Sequence, residues 1–155
     1  MTYAYRQLAV DDLVPFRELM AVFGRAFEDA ESYGDAPPSD AYVRAWLAKP
    51  HVIALVATQN GAVVGGLVAY VLEKFERERA EVYIYDLAVA EVHRRKGIAT
   101  ELIQQLRRLA KPLGASVIFV QADYVDAPAV RLYESLGTRE EVLHFDIEVD
   151  GDDFS

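Results

Sequence analysis

Along the first third of the chain the apolar positions keep helical time. Leu13, Phe16, Met20, Phe23 and Phe27 follow one another at steps of three and four, which places them on one buried stripe of a helix. Asp11 and Asp12 stand before that stripe as candidate caps, and Pro15 is acceptable in its first turn. A strand is expected ahead of it, from Thr2 to Leu8. The period stops between Glu28 and Pro38, where acids, Gly34, Pro37 and Pro38 mark a loop. Ser39 then caps a short helix to about Ala48, with Val43, Trp46 and Leu47 on its inner side.

From His51 onward the pattern changes to strands. His51 to Ala57 and Val63 to Leu72 are rich in Val, Ile and Leu and flank Asn60-Gly61, a tight-turn dipeptide, so they predict an antiparallel hairpin. After a charged turn from Lys74 to Arg79, a third long strand is expected from Glu81 to Val89. Gly97 to Lys111 has helical spacing, with Ile98, Leu102, Leu106 and Leu109 inward and Pro112 and Gly114 as its stop. Val117 to Val120 suits a short strand at a sheet centre. Asp126 caps a further helix with Pro128 in its first turn, and Gly137 ends it. The alternation of Leu143, Phe145, Ile147 and Val149 with His144, Asp146 and Glu148 predicts a closing strand with one packed face. The last residues, Asp150 to Ser155, are expected to fray.

The order strand, two helices, three strands, helix, strand, helix, strand predicts one α/β (α+β) domain over residues 1–155 with about four helices. A length of 155 residues suits one core. The absence of any apolar run of bilayer length or of a leader-like start places the expectation in the cytoplasm, with no membrane partner. There is no cysteine, which removes disulfides, thiolate metal sites and a cysteine nucleophile; no metal is expected. A net charge of -9 disfavours nucleic acid and favours a cationic small molecule. The Tyr-rich strand and apolar hairpin suit a homodimer and a monomer core equally.

Chemistry concentrates at one place. Directly after the strand Val82-Tyr83-Ile84-Tyr85-Asp86-Leu87-Ala88-Val89, three cations meet small residues at a helix start in Arg94-Arg95-Lys96-Gly97-Ile98-Ala99. Unpaired amides and the helix dipole make such a start an anion site, and in so acidic a chain the cations suggest a pyrophosphate. Asp86 is a carboxylate in an otherwise apolar strand, a placement that is costly without a purpose or a partner. It is the first candidate for a base, ahead of Glu81, Tyr83 and a group acting through water. No G-x-S-x-G, H-E-x-x-H or G-x-x-x-x-G-K-[ST] pattern appears.

The hexapeptide Arg94 to Ala99 fits the Q/R-x-x-G-x-G/A loop of the GNAT N-acetyltransferase superfamily, and Asp126-Ala127-Pro128-Ala129-Val130-Arg131-Leu132-Tyr133-Glu134-Ser135-Leu136-Gly137 resembles that family's N-x-x-A-x-x-L-Y-x-x-x-G segment. Asp126 for the usual Asn, Glu91 for a common proline and Thr138 for a frequent Phe are departures. The resemblance implies a mixed, mostly antiparallel central sheet of the GNAT fold, with an acetyl-CoA (coenzyme A) site where the sheet splays. Leu87, Ala88 and Val89 would pair with the pantetheine arm, and Asp126 would contact it. The loop Arg94, Arg95, Lys96, Gly97, Ile98 and Ala99, with Thr100 close by, would hold the pyrophosphate, and Tyr133 would act as general acid near the sulfur.

Over most of the chain, from about Phe16 to Ile147, the likeness is to the aminoglycoside 3-N-acetyltransferases of the gentamicin-resistance type. It is carried by Glu81 to Val89, Val120-Gln121-Ala122-Asp123-Tyr124 and Arg139 to Ile147. It implies transfer of an acetyl group to the 3-amino group of an aminoglycoside antibiotic, conferring resistance. Glu31, Asp35, Tyr83, Asp123, Asp146 and Glu148 are then candidate contacts for its ammonium groups. A polyamine or protein-lysine acetyltransferase, or a non-catalytic acetyl-CoA-binding module, would carry the same cofactor residues.

Overall fold

A computed structural model of the chain describes residues 2–150, in two compact units, one ending at Gln121 and the other beginning at Ala122. The first holds β1 (Ala4–Gln7), α1 (Leu13–Ala26), α2 (Asp40–Leu47), β2 (Val52–Gln59), β3 (Ala62–Glu73), β4 (Ala80–Val89), α3 (Ile98–Ala110) and β5 (Ala115–Val120). The strands form one open sheet in the order β1-β2-β3-β4-β5. Every neighbouring pair is antiparallel except β4 and β5, which are parallel. This is the mixed, mostly antiparallel sheet that the family resemblance implies. At the hairpin, Asn60 and Gly61 both take positive φ, 52° and 82°. That is the turn which matches strand twist and which Asn-Gly favours.

Both sheet faces are covered. Ala54, Val56, Val68 and Ala88 pack against Phe16, Leu19, Val22 and Phe23 of α1 and Val43 and Leu47 of α2. The alternate positions of β2 and β3 are buried as well, and α3, which lies against β2, β3 and β4, covers them with Ile98, Leu102, Ile103 and Leu106. Ser39 caps α2 as expected, its Oγ accepting from the Tyr42 amide at 3.1 Å. Asp12 precedes α1 but makes no capping bond. Its carboxylate accepts instead from the Ala9 amide at 2.7 Å and from Arg6 at 2.9 Å.

Gly66 of β3 sits tightly between β2 and α1, where a Cβ would stand 2.4 Å from the Leu55 carbonyl oxygen and 2.6 Å from Leu19 Cδ1. Because the nearer of these is backbone, the strain has no side chain to absorb it. Gly66→Ala is expected to cost about 3 kcal/mol of stability, read as a lower denaturation midpoint at unchanged slope.

The second unit holds α4 (Ala127–Leu136). Asp126 caps it through Oδ1, which accepts from the Ala129 amide at 3.3 Å, and Gly137 ends it, donating to the Tyr133 carbonyl at 2.9 Å. The closing strand is a correction. Residues 139–148 form no strand, and Leu143, Phe145, Ile147 and Val149 are between 76% and 100% exposed. Alternation encodes a two-faced segment but supplies no ladder partner, and among its described residues this unit has no other strand for it to pair with. Fraying beyond Asp150 lies outside the described residues. Among the described residues no helix is long and apolar enough to cross a membrane.

Candidate active site

β4 carries the candidate base, and a bulge decides where it points. Tyr83 pairs with Tyr70 and Ile84 with Ala69, but Val68 pairs with Asp86, so Tyr85 is an extra residue on β4. Strict alternation would put Asp86 on the face of Val82 and Ile84, toward α3. The extra residue resets the parity. Asp86 therefore shares a face with Val68, Tyr70 and Tyr83, on the side of α1 and α2.

Tyrosines line that face. Tyr85 meets Tyr70 and Tyr83 edge to face, with centroids 5.9 and 5.8 Å apart, and Tyr83 stacks on Phe119 of β5 at 4.8 Å. The Tyr83 hydroxyl donates to Gln121 Oε1 at 3.0 Å. Asp86 itself is half-buried, and burial raises its pKa above the ordinary carboxylate range. What opposes this is a phenol: the Tyr33 hydroxyl donates to Asp86 Oδ2 at 2.7 Å, which draws the carboxyl back down. No ion pair among the described residues reaches Asp86.

Just beyond Asp86 the sheet opens. β5 pairs with β4 from Ala80 opposite Ala115 to Ile84 opposite Val120 and then stops, while β4 runs on to Val89. Leu87, Ala88 and Val89 thus lie on a stretch whose β5 side has no strand partner among the described residues. The cationic loop follows. Arg94 Nε donates back to the Val89 carbonyl at 3.0 Å, tying the loop to the strand end. Arg95 and Gly97 take left-handed conformations, φ 62° and 80°, which turn successive amides toward one side. The first bond of α3 runs from the Glu101 amide to the Gly97 carbonyl, so the amides of Ile98, Ala99 and Thr100 have no acceptor within the helix. Arg94, Arg95 and Lys96 are exposed, and none takes part in an ion pair among the described residues. This is a concentrated positive site in an acidic chain.

The remaining predicted residues fall in two groups. Glu31 and Asp35 are exposed at the two ends of a π-helical turn, Glu31–Asp35, in a segment where the sequence predicts only loop. Tyr33 in the middle of that turn joins it to Asp86. Asp123, Asp126, Tyr133, Asp146 and Glu148 belong to the second unit. There Asp126 serves as a helix cap, Asp146 is held by His144 Nε2 at 2.8 Å, Asp123 and Glu148 are exposed, and Tyr133 is half-buried on α4.

Sequence reasoning missed Tyr33, the bulge at Tyr85, and Tyr3, whose hydroxyl meets His93 Nδ1 at 2.9 Å just before the cationic loop. An aromatic residue among the acids and glycine of residues 28–36 was the available signal for Tyr33. Nothing in the sequence ties Tyr3 to His93.

Comparison with known proteins bears on the fold and the family. The crystal structure of an aminoglycoside acetyltransferase from an uncultured soil metagenomic sample is 53% identical, covers 96% of this chain and 99% of its own, and superposes with a TM-score of 0.94. Another soil metagenomic aminoglycoside acetyltransferase, in complex with sisomicin, is 32% identical over 95% of this chain and 96% of its own, TM-score 0.87. A mouse protein described as probable N-acetyltransferase family 8 member 5 is 28% identical over 82 residues, a match that spans 53% of this chain and only 36% of that protein. The model of the acetyltransferase (GNAT) family matches residues 16–138; with the sheet opening beside Asp86 and the amides bared at the start of α3, the chain belongs to that family.

Proposed function

We propose that the chain transfers the acetyl group of acetyl-CoA to the 3-amino group of an aminoglycoside by direct attack within a ternary complex, and so confers resistance. The observation that carries this reading is Asp86, a half-buried carboxylate without an ion-pair partner, set by a bulge on the tyrosine-lined face beside the sheet opening. A primary ammonium, with a pKa of roughly 10.4, is mostly protonated at neutral pH and must lose a proton before it attacks. Asp86 takes that proton, and its raised pKa brings it nearer the operating pH of a general base. The tyrosines flank the amine with π faces suited to a cation.

The chain's residues fit a coenzyme A. Two left-handed residues, three amides without helical acceptors and three cations that enter no ion pair among the described residues suit a diphosphate. Gly97 adds to the fit, since a Cβ there would meet nothing within 4 Å and the space beside it is open. Arg95 to Thr100 hold that group, and the edge of β4 at Leu87, Ala88 and Val89 holds the pantetheine arm. When bound, acetyl-CoA supplies the acyl carbon that the amine attacks and the thiolate that departs. Tyr133 protonates the thiolate, the role implied by its motif. Because a thiolate with a pKa near 8.5 leaves with little help, Tyr133→Phe is expected to lower kcat only about tenfold, in steady-state thiol release.

An aminoglycoside carries several ammonium groups, and a chain of net charge -9 attracts it at a distance. Glu31 and Asp35 project from the turn that Tyr33 fastens to Asp86, and with Tyr83, Asp123, Asp146 and Glu148 they are the proposed contacts for those groups. The test is coenzyme A release and product mass over gentamicin, sisomicin, kanamycin, spermidine and a lysine peptide. Acetylation of the first three, with the 3-amino group as the site, is expected. Reaction of only spermidine or the peptide overturns the acceptor and keeps acetyl transfer; no thiol release with any of them overturns both.

A further inference from the structure

We propose that Tyr33 is the positioning residue of the acetyl-transfer base: by donating to Asp86 Oδ2 it leaves Oδ1 to meet the amine and fastens the acidic turn Glu31–Asp35 to the reacting end of β4. This rests on the reading of Asp86 as the base. A carboxylate that rotates freely offers either oxygen in many directions, whereas a base must meet its proton within hydrogen-bond reach. A donor fixed at one oxygen defines the direction of the other.

The structure holds Tyr33 itself firmly. Its ring packs against Phe23 and Phe27 near the end of α1, with centroids 5.8 and 5.7 Å away. The Ser32 amide donates to Asp29 Oδ1 at 3.1 Å and the Asp29 amide to the Gly24 carbonyl at 2.9 Å, tying the turn to α1. Gly24 faces the turn, and a Cβ there would meet Tyr33 Cβ at 3.4 Å. The wider ring of a π turn is a local departure from helix that recurs at functional sites.

The chemical identity of the donor matters as much as its place. An arginine or lysine at this position would neutralise Asp86, depress its basicity and repel a cationic substrate. A phenol orients the carboxylate without adding positive charge. Tyr33 also keeps its own proton, because burial and the adjacent Asp86 push its pKa well above the ordinary phenol value, with Asp29 adding to the effect. The phenols of Tyr83 and Tyr85 of β4 and Tyr70 of β3 line the same face, and Asp29 lies near enough to act on Tyr33.

The experiment compares wild type, Tyr33→Phe, Asp86→Asn and the double variant in sisomicin acetylation, as kcat and KM across the pH range of activity. Tyr33→Phe removes only the hydroxyl and keeps the ring between Phe23 and Phe27. It is expected to lower kcat about tenfold, the worth of one hydrogen bond to a charged group, with KM for sisomicin within about twofold. The acid limb of its pH profile should move to higher pH, since Asp86 loses the donor that offsets its burial. A purely structural role for Tyr33 moves no limb and slows Asp86→Asn as much as wild type. In the double variant, by contrast, the effect of Tyr33→Phe should vanish. An Asp86→Asn enzyme as active as wild type overturns the base and this proposal together. A slow Asp86→Asn beside a Tyr33→Phe with wild-type kcat and acid limb, or a Tyr33→Phe loss undiminished in the double variant, overturns the role of Tyr33 alone.

Discussion

Asp86→Asn is expected to lower kcat/KM for sisomicin by about three orders of magnitude, within the range for loss of a positioned general base, while leaving the protein at least as stable at neutral pH. The two halves of that expectation have one cause. Burial raises the carboxyl's pKa in the folded chain above its unfolded value, so the folded state keeps the proton to higher pH than the unfolded one does. Stability from that preference is present at low pH and is lost as the pH rises through the unfolded and then the folded value. At neutral pH the charged carboxylate is therefore a net cost that activity retains. Asn carries no charge, and its carbonyl oxygen can still accept from Tyr33. The wild-type profile should fall on the acid side at a pH above the ordinary carboxylate range, and the variant should lack that limb. A kcat/KM within tenfold of wild type, or a thermal midpoint several degrees lower, contradicts the assignment.

The parts of this fold that could be read in advance are those whose signal is local. Asn60-Gly61 demands a turn that few other dipeptides accept, Ser39 and Asp126 cap the helices they precede, and the stripe of α1 follows from spacing alone. The loop of Arg94, Arg95, Lys96 and Gly97 belongs with them, because a helix start bares its amides whatever lies elsewhere in the chain. The site's remaining geometry depends on partners distant in sequence. The face of Asp86 turns on one extra residue, Tyr85, whose presence in the ladder is fixed by register with β3 and leaves no mark in composition. Tyr33 stands 53 positions before Asp86, inside a segment whose acids and glycine signal only a loop. The closing segment failed in the opposite sense, since Leu143, Phe145, Ile147 and Val149 carry a strand's period but find no ladder partner among the described residues of their own unit.

Gly97→Asp is expected to raise KM for acetyl-CoA about a hundredfold, the effect of roughly 2.7 kcal/mol, while kcat at saturation stays within a few-fold of wild type. Gly97 precedes α3 at φ 80°, a conformation that Asp tolerates better than most side chains, and Asp is a preferred residue at a helix cap. The Cβ meets no protein atom within 4 Å, so the fold should survive. The new carboxylate, however, stands among the amides of Ile98, Ala99 and Thr100, where it takes up donors meant for a diphosphate and repels it by like charge. Arg94, Arg95 and Lys96 remain and soften the loss only partly, because they are exposed and screened by salt. The rise in KM should therefore persist at high ionic strength, whereas reversing the charge of Lys96 alone should matter less as salt is added. Calorimetric binding of coenzyme A by folded Gly97→Asp with an affinity within threefold of wild type would show that the diphosphate lies elsewhere, and the assignment of the loop would fall with it.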